Sequence, residues 1–241
     1  MRSSISSIVV ASALFAVVPF ASAQYSSTAS APTALVAGGT EDRIGLPALQ
    51  TKLKEPFGVD FDRAGNLFIV EMAAGNRLLR VDAQGTLTHV AGLPTAGDTG
   101  DGGAALSAQF NGPHNLAVLP NGNVLISDTW NGRVRQVDVT SARVSTLPGY
   151  GVPAKQGKAS GPYCIALDFT GTQLFIADLR RVQALDLKTG KLLWRRDLTA
   201  DYQIPQYFFG YGPTPFVWKD RVIVNVGGKA RDGTSGTCVA A

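Results

Sequence analysis

A segment of about 40 residues occurs three times in this chain. The clearest copy covers residues 113–149, and related copies cover 55–92 and 161–198. Each copy carries a proline, a glycine, an acidic residue and an arginine in the same order. These repeated positions are Pro56, Pro113 and Pro162; Gly65, Gly122 and Gly171; Glu71, Asp128 and Asp178; and Arg77, Arg133 and Arg181. The repeat constrains the fold strongly, because every copy must form the same small unit.

Each copy has the pattern of four short strands. In the copy at 113–149, apolar or alternating runs are separated by Asn-Gly and similar turn sequences. The runs lie at 115–119, 123–127, 133–137 and 143–147. Because Asn-Gly accommodates positive backbone φ, each pair of runs can close as a tight hairpin. The pattern therefore predicts a four-stranded antiparallel meander in every copy.

The repeat also predicts how the copies assemble. A small four-stranded sheet cannot bury both of its faces alone, whereas stacking on its neighbours buries them. We therefore predict an all-β protein, a β-propeller of four-stranded antiparallel blades with about four blades present, and incomplete. Blades are expected at about 55–92, 113–149, 161–198 and, incomplete, 210–241. Either a strand at 34–38 closes the last blade or the chain is a piece of a longer one, and we favour the latter.

The repeated features follow one another in a fixed order: a proline, an apolar strand, Gly-Asn, a strand that ends in an acidic residue, Asn, Arg and Val-Asp. This order resembles that of the NHL repeat. The resemblance covers about residues 34–186 and implies a propeller similar in shape to the gluconolactonase and regucalcin-like group. Such propellers include scaffolds, binders, lyases and lactonases, so the resemblance implies a fold rather than an activity. Residues 184–194, ALDLKTGKLLW, are similar to the docking motif of quinoprotein-type (PQQ-like) propellers. That likeness implies that Trp194 packs on the neighbouring blade.

The N-terminus has the pattern of a signal peptide over residues 1–23. Arg2 precedes an apolar run at 8–20, and Ala21-Ser22-Ala23 forms a cleavage site of small residues. The alternative is an N-terminal membrane anchor, which needs about 20 apolar residues. We predict export to an extracytoplasmic location, secreted or periplasmic, a flexible lead at 24–33, and no membrane span after cleavage.

The distribution of charge bears on which partners the chain can bind, and the positions of the cysteines bear on whether it contains a disulfide. The formal net charge is +4, and the basic residues are scattered at turns rather than clustered. This distribution argues against nucleic acid as a partner. Cys164 and Cys238 fall in positions that are far apart across a blade, so we predict two thiols rather than a disulfide.

Ligands of propellers usually bind where the innermost strands begin, at the mouth of the central channel. These strands begin at Phe57, at His114 and Asn115, and at Tyr163, which are the predicted ligand-binding residues. Imidazole can accept a hydrogen bond, take a proton or bind a metal.

The segment 113–117, PHNLA, resembles the lactonase-group segment in which an asparagine coordinates a divalent metal. The resemblance implies Asn115 as a ligand of Ca²⁺ or another divalent cation. The group's acidic ligands have only Glu55 as a shifted candidate, and Cys164 replaces an aspartate. The loop 97–103, GDTGDGG, is a second place where Ca²⁺ could bind, although its spacing matches neither an EF-hand nor a full glycine-rich calcium nonapeptide and favours an ordinary loop.

The repeated charged residues are interpreted as structural. Glu71, Asp128 and Asp178 end a strand beside a turn, where a carboxylate can accept backbone N–H bonds. The repeated arginines are expected to bond to neighbouring backbone or acids. The leading hypothesis is a non-catalytic propeller that binds a protein or small-molecule ligand. A metal-dependent lactonase-like hydrolase or lyase is the second, and a fragment of a quinoprotein-type oxidoreductase is the third.

Overall fold

The computed structural model describes residues 9–10, 34–151, 161–202, 214–219, 221–229 and 235–240. The predicted lead at 24–33, and the predicted signal peptide apart from residues 9–10, lie outside these ranges. Sixteen described strands form four antiparallel sheets of four strands each. The all-β fold and the four-stranded blades predicted from the repeat are confirmed.

The first two repeat copies each form one meander in which strands follow one another in chain order. Strand β1 (Val9–Val10) comes first in the chain and belongs to the last sheet. Blade 1 contains β2 (Pro56–Phe61), β3 (Leu67–Glu71), β4 (Leu78–Val81) and β5 (Leu87–Ala91). Blade 2 contains β6 (Asn115–Val118), β7 (Val124–Asp128), β8 (Arg133–Asp138) and β9 (Arg143–Gly151).

The third and fourth sheets continue this pattern. Blade 3 contains β10 (Cys164–Leu167), β11 (Gln173–Ala177), β12 (Arg181–Asp186) and β13 (Leu192–Asp197). Blade 4 contains β14 (Phe216–Trp218), β15 (Arg221–Lys229) and β16 (Ser235–Ala240), with β1 beside β16. In the connections that the structure describes there are one short helix, α1 (Leu198–Tyr202), and 3-10 turns at Ala105–Ser107 and Thr129–Asn131.

The hydrophobic core consists of layers between successive blades. All five residues of β3 and of β7 are buried, because a middle strand is covered on both faces. One cluster joins Phe68 of blade 1 to Ile126 of blade 2. Further clusters join Leu125 to Ile176 across blades 2 and 3, and blade 3 to the β15 strand of blade 4. Stacking therefore supplies the core, as the repeat predicts.

The outward face of blade 1 is covered by the segment that precedes it. Ile44, Ala48 and Leu53 pack on the side chains of β3, β4 and β5. The backbone N–H groups of Gly38 and Gly39 donate to carbonyls of Ala48 and Thr51, at 2.9 and 2.8 Å. Residues 34–38 thus form no strand in the described structure, so they do not provide the closing strand that was the alternative to a longer chain. The fourth position of blade 4 is taken by Val9–Val10 instead.

The innermost strands β2, β6 and β10 lie side by side and position the candidate site. The Asp60 carboxylate accepts a hydrogen bond from Val118 N at 2.8 Å, and the Asn115 amide oxygen accepts one from Ile165 N at 3.2 Å. The approach is close, since a Cβ on Gly58 would lie 2.8 Å from Asn115 Cα. These strands line a groove of about 480 Å³. No helix among the described residues has the length and apolarity that crossing a bilayer requires.

Candidate binding site at the channel mouth

Four aromatic side chains meet where the innermost strands begin. The His114 ring lies 4.9 Å from Phe57 and 4.7 Å from Tyr163, measured between ring centroids. The Trp130 ring lies 6.0 Å from His114. Phe57, His114 and Tyr163 each follow the repeat proline of their blade. Because they hold the same position in adjacent blades, stacking brings them together; we call the four side chains the mouth cluster.

The His114 imidazole is held in a defined orientation within the mouth cluster. Its Nδ1 lies 2.7 Å from the Gly112 carbonyl oxygen, which can only accept, so Nδ1 carries the proton. In the neutral ring Nε2 is therefore a hydrogen-bond acceptor. Burial lowers the pKa of His114, so the ring is neutral at neutral pH. His114 is 8% exposed, whereas Phe57 is 58% and Trp130 41% exposed, so the outer rings are open to a ligand.

Asn115 connects the mouth cluster to the next blade. Its backbone N–H donates to Ser127 Oγ at 2.8 Å, and that hydroxyl lies within 3.3 Å of the Tyr163 carbonyl. Its amide oxygen accepts the Ile165 N–H. A metal bound through that oxygen would share it with this inter-blade bond, since an amide oxygen has two lone pairs. The described residues contain no cluster of three or more His, Cys, Asp or Glu side chains suited to a metal ion.

The aspartates of the loop 97–103 bind arginine side chains. Asp98 lies 3.5 Å from Arg133, and Asp101 lies 2.9 Å from Arg135. Asp101 also accepts a hydrogen bond from the Thr146 hydroxyl at 2.6 Å. The loop therefore joins the connection between blades 1 and 2 to the outer strands of blade 2.

The repeated acids make different contacts at equivalent positions. Glu71 is fully buried, lies 2.7 Å from the Arg77 guanidinium and accepts the Lys54 N–H at 2.6 Å. Asp128 is also fully buried and accepts the Asn111 N–H at 2.7 Å. In both blades the carboxylate binds the backbone two residues before the repeat proline, and so fixes the entry of the innermost strand.

In blade 3 the repeated acidic residue accepts hydrogen bonds from the hairpin that directly follows it. Asp178 accepts the N–H groups of Arg180 and Arg181 at 2.8 and 2.7 Å. The Arg181 side chain lies 3.9 Å from Asp197. Trp194 packs 6.0 Å from Phe175, in the cluster that joins blades 3 and 4.

Two important residues were not predicted from the sequence. Trp130 lies in the 3-10 turn Thr129–Asn131, and this turn places its ring on Gly112 beside His114. Arg135 lies two residues beyond the repeated Arg133 and is fully buried, with Asp101 and Asp128 as partners. Cys164 is half-buried and forms no disulfide among the described residues, and burial raises the pKa of its thiol. The side chain of Cys238 lies outside the described structure.

The buried Asp128 carboxyl predicts an unusual dependence of stability on pH. Burial raises its pKa from 3.8 to about 6, and bonds from Asn131, Asn111 and Arg135 offset this only in part. Between about pH 4 and 6 the folded chain holds a proton that the unfolded chain releases. The contribution of Asp128 to the free energy of unfolding should therefore fall as pH rises through this window, by at most about 3 kcal/mol. Urea unfolding of wild type and Asp128→Asn across this range measures the difference.

Asp138→Asn is the matched control for this prediction. Asp138 is half-buried, and the N–H of Ser141 holds its pKa below the ordinary value. Its stabilising contribution is thus present above the unfolded pKa and is lost only as pH falls below it. If the stability difference between wild type and Asp128→Asn stays constant from pH 4 to 7, Asp128 does not titrate in this window.

Comparison with known proteins identifies the family. The model of the teneurin NHL domain matches residues 14–138, which is more than half of the chain. The chain belongs to the teneurin NHL domain family. Mouse Teneurin-1 is 30% identical over 127 residues, or 47% of this chain and 5% of that protein. Human NHL repeat-containing protein 2 is 26% identical over 181 residues, or 66% of this chain and 24% of that protein. The chain thus spans a quarter or less of these curated relatives.

Solved structures show the same fold for this NHL domain. A putative gluconolactonase superposes with a TM-score of 0.51 at 17% identity, covering 85% of this chain and 61% of the other. A chain from the nidogen/laminin complex superposes with a TM-score of 0.50 at 15% identity, covering 75% and 60%. At these identities the likeness shows the β-propeller fold alone. The NHL-type propeller expected from the repeat is therefore confirmed.

Proposed function

We propose that this chain is an extracytoplasmic NHL-type propeller that binds a protein or a small-molecule ligand at the mouth of its channel. The observation that carries the proposal is the mouth cluster, in which four rings from three successive blades meet around one oriented imidazole. Propellers commonly bind ligands where inter-blade loops converge. One neighbour of the same fold is a chain of the nidogen/laminin complex, so this shape occurs within protein complexes.

The chemistry of the mouth cluster suits a ligand that combines an apolar group with a hydrogen-bond donor. Exposed Phe57 and Trp130 offer apolar surface that a ligand would bury. His114 Nε2 can accept one hydrogen bond from the ligand, because Nδ1 already donates to Gly112. Large rigid aromatics in such positions typically carry most of the energy of a protein interface.

The extracytoplasmic part of the proposal is supported by the N-terminal sequence. Arg2, the apolar run at 8–20 and the small residues 21–23 together form an export signal. Protein recovered from outside the cytoplasm should accordingly begin at Gln24, as read by intact mass, and blade 4 of that protein would lack strand β1 (Val9–Val10).

Binding can be tested by selecting peptides from a random phage-displayed library against the purified chain. We expect the selected peptides to bind Phe57→Ala and Trp130→Ala about 30-fold more weakly than wild type, which corresponds to a loss of about 2 kcal/mol. Both side chains are largely exposed, so truncating them should leave the fold intact.

Phe169→Ala is the matched control, because Phe169 is an aromatic side chain that is 95% exposed and lies outside the mouth cluster. Its affinity for the selected peptides should equal that of wild type. A binding site at the mouth would be contradicted if all three variants bound the peptides as tightly as wild type. It would also be contradicted if Phe169→Ala lost as much affinity as Phe57→Ala and Trp130→Ala.

A further inference from the structure

The outer strand of blade 3 differs from the outer strands of blades 1 and 2 in how its edge is covered. Leu87, Val144 and Leu192 hold the same repeat position, because each pairs with the residue four places after the repeated arginine. Leu87 and Val144 are 0% and 1% exposed, whereas Leu192 is 41% exposed. One repeat position is therefore covered in two blades and open in the third.

In blades 1 and 2 a segment from outside the four-stranded sheet binds the edge of the outer strand. The Leu87 N–H donates to the Leu46 carbonyl oxygen at 3.3 Å, and the Val144 N–H donates to the Gly103 carbonyl oxygen at 3.3 Å. In blade 2 the Gly102 N–H also donates to the Val144 carbonyl oxygen, at 2.7 Å. Each of these outer strands thus accepts one more stretch of backbone, as sheet edges do when a strand is added.

The outer strand of blade 3 offers the same donor without a described partner. In blade 3 the Asp186 N–H donates to the Lys191 carbonyl oxygen at 2.9 Å. In blade 1 the Asp82 N–H donates to the Thr86 carbonyl oxygen at 3.1 Å. The two hairpins therefore share one register, and the Leu192 N–H points outward as its counterpart in blade 1 does. No backbone bond from the described part of the chain reaches this outer edge of β13, which we call the blade 3 edge.

The Gly- and Asp-rich loop that covers blade 2 indicates which chemistry suits the blade 3 edge. Its Asp101 lies 2.9 Å from Arg135 and accepts a hydrogen bond from the Thr146 hydroxyl at 2.6 Å. Arg135 and Thr146 pair across the outer hairpin of blade 2. The equivalent pair in blade 3 is Gln183 and Arg195. A cation is therefore present at this place in both blades, but in blade 3 it lies on the outer strand and is exposed.

The charge around the blade 3 edge favours an acidic partner. Residues 178–197 contain six basic and three acidic residues, and Arg195 and Arg196 are both exposed. The connection that precedes blade 3, residues 152–160, carries two lysines and no acidic residue, so its charge does not complement the edge. That connection is also short, since 12 residues separate β9 from β10, whereas 23 separate β5 from β6.

We propose that the blade 3 edge binds an extended acidic segment of a partner protein by strand addition. The Leu192 N–H donates to a carbonyl oxygen of that segment, as its counterparts in blades 1 and 2 do to the segments that cover them. The Arg195 guanidinium binds a carboxylate of the partner, as Arg135 binds Asp101 in blade 2. The blade 3 edge lies on an outer strand, so it is a second site, separate from the mouth cluster on the innermost strands.

An NMR titration of the full chain tests this proposal with the synthetic peptide GDTGDGGAAL, the sequence of residues 97–106. We expect the amide signals of Leu192 and Arg195 to shift, and the peptide to bind about tenfold more tightly than GNTGNGGAAL, which lacks both carboxylates. Arg195→Glu should weaken binding of the acidic peptide by about tenfold as well. Arg63→Glu is the matched control, because Arg63 is exposed on the β2–β3 turn of blade 1, and this variant should bind as wild type does.

Two results of the titration would overturn the proposal. One is equal affinity for the two peptides, which can be measured on wild type even if Arg195→Glu fails to fold. The other is binding that shifts amide signals elsewhere and leaves those of β13 unchanged.

Hydrogen exchange in the free chain tests whether the blade 3 edge is open. The Leu192 amide should exchange about 100-fold faster than those of Leu87 and Val144, because only the latter two have partners in the described structure. If the Leu192 amide is protected as strongly as that of Val144, another part of the chain already covers the edge, and the proposal is wrong.

Discussion

Replacing Arg135 with leucine should lower the free energy of unfolding by about 3 to 5 kcal/mol at pH 7. The guanidinium is fully buried, 2.9 Å from Asp101 and 3.4 Å from Asp128. It also donates to the carbonyl oxygens of Thr99 and Gln109, and lies 5.5 Å from the centre of the Phe110 ring. Leucine would leave the buried Asp128 carboxylate without its cation and leave these carbonyls without their donor.

Urea unfolding of the variant beside Arg133→Leu measures this effect. Arg133 is the arginine that the repeat identifies, but its side chain is 28% exposed and meets the 64% exposed Asp98 at 3.5 Å. A surface pair of this kind contributes about 1 kcal/mol or less. If the two variants lose the same free energy of unfolding, the buried contacts of Arg135 stabilise blade 2 no more than the surface pair of Arg133 does.

Replacing Glu71 with alanine is the second change for which we expect a large effect, again about 3 to 5 kcal/mol. The variant removes the partner of the buried Arg77 guanidinium, 2.7 Å away, and the acceptor of the Lys54 N–H. Because Lys54 lies two residues before Pro56, the backbone at the start of β2 should also become more mobile. Hydrogen exchange at Lys54, together with chemical denaturation, measures both consequences.

Asp178→Ala is the matched control at the equivalent repeat position in blade 3. Asp178 is half-buried and accepts two N–H groups from its own hairpin. Losing these bonds should cost about 1 to 3 kcal/mol. If Asp178→Ala is as destabilising as Glu71→Ala, the repeated acids have the same role in every blade, contrary to the contacts described here.

The sequence could predict the mouth cluster because position within a repeat becomes position around an axis. Phe57, His114 and Tyr163 share no local motif, but each follows a repeat proline. Stacking the copies then places each ring within 5 Å of the next one along the chain. The distance between ring centroids is 4.9 Å from Phe57 to His114 and 4.7 Å from His114 to Tyr163. The fold was predictable for the same reason, since each copy had to form the same meander.

Contacts that depend on loops could not be predicted in this way. Trp130 and Arg135 have no counterpart in the other copies, so the repeat gave no signal for them. Asp101 reaches Arg135 only because the loop 97–103 folds back over blade 2. Residues 34–38 resemble an outer strand, but their backbone bonds to Ala48 and Thr51 hold them against blade 1 instead. The local sequence pattern of a segment does not determine which neighbouring segment provides its hydrogen-bond or ion-pair partners.

The most direct test of the stacked repeat is the environment of His114 in solution. The chain has two histidines, so the imidazole signals of His114 can be assigned with a His89→Gln variant. Phe57 and Tyr163, which lie 57 and 49 positions away in the chain, should both give nuclear Overhauser cross-peaks to the His114 ring. Cross-peaks to both rings are the predicted result. Cross-peaks to neither ring would contradict the convergence of the three copies around one axis.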